Sequence, residues 1–175
     1  GSAGATGLYR DFPNAPRAGT WHAIALANRL AGTDLVPSAA DVTASFNSGS
    51  PWYFGTDGRT PSGQYDFVSV VLHEIGHGIG FSGSGRVASG LGPWGSGSPF
   101  PFAYDWHVAD GDGVSPLSYA SGSGELASFL ASDNLFWRGA SGISANGGIQ
   151  PRLYAPATWL QGSSYSHLNE ATYPP

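Results

Sequence analysis

Apolar and polar positions follow two rhythms along the 175-residue chain, and each rhythm predicts elements. From Ala18 to Leu30, the residues Trp21, Ile24, Ala25, Leu26 and Leu30 recur at helical spacing, and Gly32 follows as a stop signal. Asp41 to Asn47 alternates and is rich in strand formers, while Trp52-Tyr53-Phe54 is a short aromatic run between Pro51 and Gly55; both predict strands. After the turn-rich stretch from Gly55 to Gly63, a strongly apolar helix of about 15 residues is predicted to start near Gln64. Ser82 to Ser98 is mostly Gly and Ser, with isolated Leu91 and Trp94, and predicts a mobile surface loop. Farther on, Glu125 to Ala131 predicts a short helix, and Leu135-Phe136-Trp137 and Arg152-Leu153-Tyr154 predict strands around the Gly-rich stretch from Gly139 to Gly148.

The long apolar helix contains His73-Glu74-Ile75-Gly76-His77. At about 100° per residue, His77 lies only about 40° from His73 and one turn along, so both imidazoles leave one face and can meet one metal ion. On the same wheel Val68, Val71, Leu72, Ile75 and Ile79 form a stripe opposite the histidines, which predicts the core-facing side. A structural histidine usually sits on or beside such a stripe, so two of them on the other face are poorly explained by packing. Glu74, about 100° from His73, is badly placed to be a ligand but can reach a metal-held water. Zinc lowers the pKa of such a water toward about 7, and a carboxylate accepts its proton and passes it to the leaving amine.

Composition narrows the field. With no cysteine, a metal must sit on His, Asp or Glu. Seven Arg and no Lys against 12 acidic residues give a net charge of −5, without the basic stripe that a phosphate backbone requires, so nucleic acid is not an expected partner. No run approaches the roughly 20 apolar residues of a membrane span. Low charge and abundant Gly, Ala and Ser fit a secreted, extracellular protein, expected as a monomer. One domain over residues 1–175 is the expected organisation.

Catalytic zinc usually has three protein ligands and an open position. The candidates for the third are His167, His107, His22, Glu125 and Glu170. Gly80, three residues after His77, allows a turn that ends the helix, and so favours a ligand from chain beyond it.

The run His73-Glu-Ile-Gly-His-Gly-Ile-Gly80 resembles the first part of the metzincin zinc-peptidase signature, His-Glu-x-x-His-x-x-Gly-x-x-His. The third histidine of the compact signature would fall at Gly83. Leishmanolysin-type metzincins are similar to this chain in placing a long insertion before that histidine, here about residues 82–160. His167, in Ser164-Tyr-Ser-His-Leu-Asn-Glu170, is then the match. The resemblance implies an α+β zinc-peptidase domain with a small twisted sheet, an active-site helix, a long Gly/Ser-rich insertion and an edge strand for extended protein or peptide substrates. It implies zinc on His73, His77 and His167, with Glu74 catalytic. Two departures stand out: metzincins carry a methionine-bearing turn beneath the metal, yet this chain has no Met, and leishmanolysins are rich in disulfides.

Rival readings follow. Thermolysin-like enzymes take a glutamate from a later helix, for which Glu125 is the counterpart. His107, among aromatics, reads better as a packed histidine, and His22 as a surface or interhelix residue. A non-catalytic extracellular binding module is the alternative of another class. The carboxylates of Asp110-Gly-Asp112-Gly-Val-Ser115 are a possible calcium site, although a plain turn is the preferred reading. Trp52, Tyr53 and Phe54 read as core rather than groove. Tyr165 and Tyr173, flanking His167, are candidate hydrogen-bond donors to an oxyanion.

Overall fold

The structure, a computed structural model, describes residues 1–173, in which four short helices and four two-stranded ladders make an α+β chain. Its residues cluster into two compact units.

The first unit comprises residues 1–18 and 22–81. Strand β1 (Ser2–Ala5) pairs antiparallel with β4 (Val42–Ser45), Ser2 opposite Ser45 and Ala5 opposite Val42. β2 (Leu8–Tyr9) pairs with β3 (His22–Ala23), which runs directly into α1 (Ile24–Ala31). The predicted first helix therefore starts later than its pattern suggested, because residues 22 and 23 are held in a ladder, while Gly32 ends it as expected. β5 (Trp52–Tyr53) lies parallel to β6 (Tyr65–Asp66), and α2 (Phe67–Gly78) follows at once. Asp66 caps α2, its Oδ1 accepting from the Ser69 N–H at 2.6 Å.

The face that α2 buries differs from the expected one. Glu74 and Gly78 are buried and Phe67, Val70, Val71 and His77 half-buried, whereas Val68, Leu72, Ile75 and Ile79 are 40, 64, 41 and 51% exposed. The helix is apolar nearly all round, so periodicity alone does not choose its inner side. Close approach does: a Cβ on Gly78 would stand 2.4 Å from Cγ1 of Val42 on β4, so the side-chain-free position is the one that meets the ladder. The aromatic run joins a cluster in which Phe67 packs against Phe46, Trp52 and Phe54, but Phe54 stays 68% exposed, and so is not core.

The second unit comprises residues 19–21 and 82–173. Residues 19–21 are tied in by Trp21 N–H to Pro101 O and Ala103 N–H to Trp21 O, at 2.9 and 2.8 Å. A 3-10 turn (Ala103–His107) leads into β7 (Val108–Asp110), which pairs antiparallel with β8 (Leu135–Trp137). Between them lies α3 (Gly124–Leu130), as predicted, and after them α4 (Ala140–Ala145), which the Gly-rich sequence did not suggest. Arg152 and Leu153 form single bridges to Phe136 and Leu168 rather than a strand. Leu126, Leu130, Leu135 and Leu153 are fully buried, each worth about 1.5–3 kcal/mol of transfer free energy. The loop after Phe81 is not the loose excursion its composition predicted. Ser84 is buried, and Arg86, Ala88 and Gly92 make backbone bonds to Pro93, Leu91 and Ser123. In place of one twisted sheet there are only two-stranded ladders, because strands of two to four residues leave little edge for a third.

Candidate metal centre

The α2 geometry brings His73 and His77 together. Their Nε2 atoms stand 3.1 Å apart, with ring centroids 4.7 Å apart and planes at 87°. Two nitrogens on a tetrahedral zinc, each at about 2.0–2.1 Å, stand about 3.3–3.4 Å from one another, so this spacing suits one ion. The Nδ1 of His77 lies 2.8 Å from Phe81 O. A proton on Nδ1 donated to that carbonyl leaves Nε2 as the ligand atom, the outer support that metal-binding histidines usually have. Phe81 N–H bonds back to Gly76 O at 2.9 Å, and Gly80 supplies the turn at φ +115°, so the predicted helix stop also creates this support.

Glu74 is 8% exposed, and its Oε1 lies beside Gly1, where an added Cβ would stand 3.0 Å from that oxygen. Among the described residues no protein group donates a hydrogen bond to its carboxylate. The carboxylate oxygens themselves keep contact with solvent, as a group that exchanges protons with water requires.

His167 is half-buried in the second unit. Its Nδ1 is 2.8 Å from Ser163 O, and its own carbonyl accepts from Tyr154 N–H at 2.8 Å. As with His77, a proton on Nδ1 donated to that carbonyl would make Nε2 the atom able to coordinate a metal. Gly83, where the compact signature would put its histidine, has no room for one. A Cβ there would stand 2.1 Å from the Tyr165 ring, two residues before His167.

The rival positions have other surroundings. His22 is 2% exposed on β3, its ring edge-on to Phe12 at 5.2 Å, and so is a core residue rather than a surface or interhelix one. His107 is exposed with its ring against Trp137 at 5.0 Å, matching the aromatic packing expected of it. Glu125 is exposed in the first turn of α3, and Glu170 is also exposed.

Tyr165 is no oxyanion donor. It is 1% exposed and its hydroxyl donates to Asp105 Oδ1 at 2.9 Å. The Tyr173 hydroxyl accepts from Asn146 Nδ2 at 3.0 Å and Arg152 N–H at 3.3 Å. Asp110 Oδ1 accepts from the backbone of Asp112 and Val114 at 3.0 and 2.8 Å, the turn that was the preferred reading of that segment.

Asp105 escaped the sequence reading. It is fully buried, and desolvation pushes its carboxyl above the usual carboxylate range against the pull of its donors. Oδ1 accepts from Ser84 N–H at 3.0 Å and from Tyr165; Oδ2 accepts from the Ser84 hydroxyl and from Phe102 N–H at 2.8 Å. The available signal was a lone acid set within Phe102-Ala-Tyr-Asp-Trp106.

A family model described as SPBPB7E8-like matches residues 33–94, a stretch that contains α2 with both its histidines and stops well short of His167. No curated protein and no solved structure matches the chain.

Proposed function

We propose that the chain is a zinc-dependent endopeptidase in which His73, His77 and His167 hold the metal and Glu74 is the general base. The observation that carries this reading is the pair of Nε2 atoms 3.1 Å apart on a helix whose intervening glutamate is buried and receives no protein donor. His167 is proposed as third ligand on the resemblance to peptidases with a long insertion before that histidine, and because the Nδ1 contact with Ser163 O gives its ring the outer support that metal-binding histidines usually have.

Zinc held by these residues would polarise a scissile carbonyl and acidify water. The chain's own residues do the rest. Phe81 O and Ser163 O accept the Nδ1 protons of His77 and His167 in the tautomer that offers Nε2 to the metal. Glu74 takes the proton of the attacking water and returns it to the leaving nitrogen, so no covalent intermediate is required. An extended polypeptide is the proposed substrate. Among the described residues β4 has β1 as its one strand partner, and its other edge is the proposed place for such a chain. No helix among the described residues is long and apolar enough to cross a membrane.

A non-catalytic binding module is the second reading, favoured by the exposure of Phe54, Tyr65 and Leu72 at 68, 60 and 64%. One experiment separates the two. Glu74→Gln should retain zinc by elemental analysis and lose casein cleavage by about 10²–10⁴-fold. Undiminished cleavage removes Glu74 from the mechanism, and a wild-type protein that neither holds zinc nor cleaves casein is the binding module.

A further inference from the structure

We propose that Asp105 is a positioning residue that sets the third ligand, His167, through Tyr165; this rests on the zinc reading above. Tyr165 has φ +76°, a left-handed conformation that a side-chain-bearing residue adopts only when its surroundings over-determine it. Three contacts do so. Its N–H donates to Tyr154 O at 2.7 Å, its carbonyl accepts from the Tyr104 hydroxyl at 2.5 Å, and its hydroxyl donates to Asp105. The ring has its own slot, edge-on to Tyr104 with centroids 5.4 Å apart and closed by Gly83, where no Cβ fits.

The reversal at Tyr165 carries the chain into His167. Ser166 Oγ accepts from Gly83 N–H at 2.9 Å, and the His167 backbone and ring are held by Tyr154 and Ser163. Residues 165 to 167 are each held by a hydrogen bond, and the Tyr165 hydroxyl joins that turn to Asp105. Asp105 also binds Ser84 and Phe102, so one carboxylate ties the loop of Ser84, the 3-10 turn and the ligand turn together. An apolar side chain at 105 would fill the space but leave the Tyr165 hydroxyl, two N–H groups and a serine without their acceptor.

The test is zinc affinity, read by competition with a chromogenic chelator, in the full chain. Tyr165→Phe keeps the ring and removes only the bond to Asp105; it should weaken zinc by about 10-fold, within the range for outer supports of metal ligands. Asp105→Asn should do the same or more. In a His167→Ala background Tyr165→Phe should have no further effect, because the ligand it positions is gone. Wild-type affinity in both Tyr165→Phe and Asp105→Asn overturns the proposal. So does an equal loss with and without His167, which would mean a general structural role. The zinc reading fails separately, if His73→Ala and His77→Ala bind zinc as the wild type does.

Discussion

Helix α2 and the turn from Ser163 to His167 each offer imidazole nitrogen, but they are built by opposite means. In α2 the two histidines owe their spacing to 3.6 residues per turn and the helix start to Asp66, three residues from the amide it caps. In the turn nothing is periodic. Tyr165 stands in a left-handed conformation held by a hydroxyl bond to Asp105 and a carbonyl bond from Tyr104, partners 60 and 61 positions back. Regular structure places a ligand cheaply and tolerates change around it; an irregular turn does so only through a network, and inherits that network's fragility.

Three substitutions probe this contrast. The largest effect is expected from Gly83→His, which installs the histidine of the compact signature. With the Tyr165 ring 2.1 Å from the new Cβ, the turn must give way, at a cost of about 3 kcal/mol or more in denaturant unfolding. Stability close to wild type would show that the turn can re-form elsewhere. Asp66→Ala is the matching local change in α2 and should lower the melting temperature by less. Backbone and side-chain donors at Ser69 hold the Asp66 carboxyl below its ordinary value of 3.8, so its contribution is present above that value and fades as pH falls through the lowered one. The gap between variant and wild type should therefore narrow in acid, and a pH-independent gap would mean that the cap is not its source. Leu72→Gln should matter least, within about 0.5 kcal/mol, because the side chain is 64% exposed. A loss the size of a core truncation, about 2–5 kcal/mol, would mean that the stripe is buried in solution.

The same contrast explains what could be read in the sequence. The histidine pair, the stop at Gly80, β4, α3 and β8 follow from local periodicity and turn chemistry, and the structure has them. The inner side of α2 was misread because Val68, Leu72, Ile75 and Ile79 make a convincing stripe, and only the contact of Gly78 with Val42 decides otherwise. Residues 82–98 looked too polar to be ordered, but Ser84 is anchored on a carboxylate 21 positions away. His22 looked helical because no local signal announces a two-residue ladder with Leu8 and Tyr9. His167 was reachable as a candidate through resemblance, whereas the reason that position 83 holds a glycine, the Tyr165 ring occupying that space, was not.

The left-handed Tyr165 also sets an order of events as the chain folds. α2 can be capped as soon as Asp66 meets an amide three positions on, but the ligand turn must wait for Tyr165 to find Asp105 across 60 positions, a closure that is slower and entropically dearer. Under the proposed site, a refolding chain presents two histidines before it presents the third. On that proposal, metal taken up early would be held loosely and exchange freely, and only the last long-range contacts to form would commit the protein to keeping it.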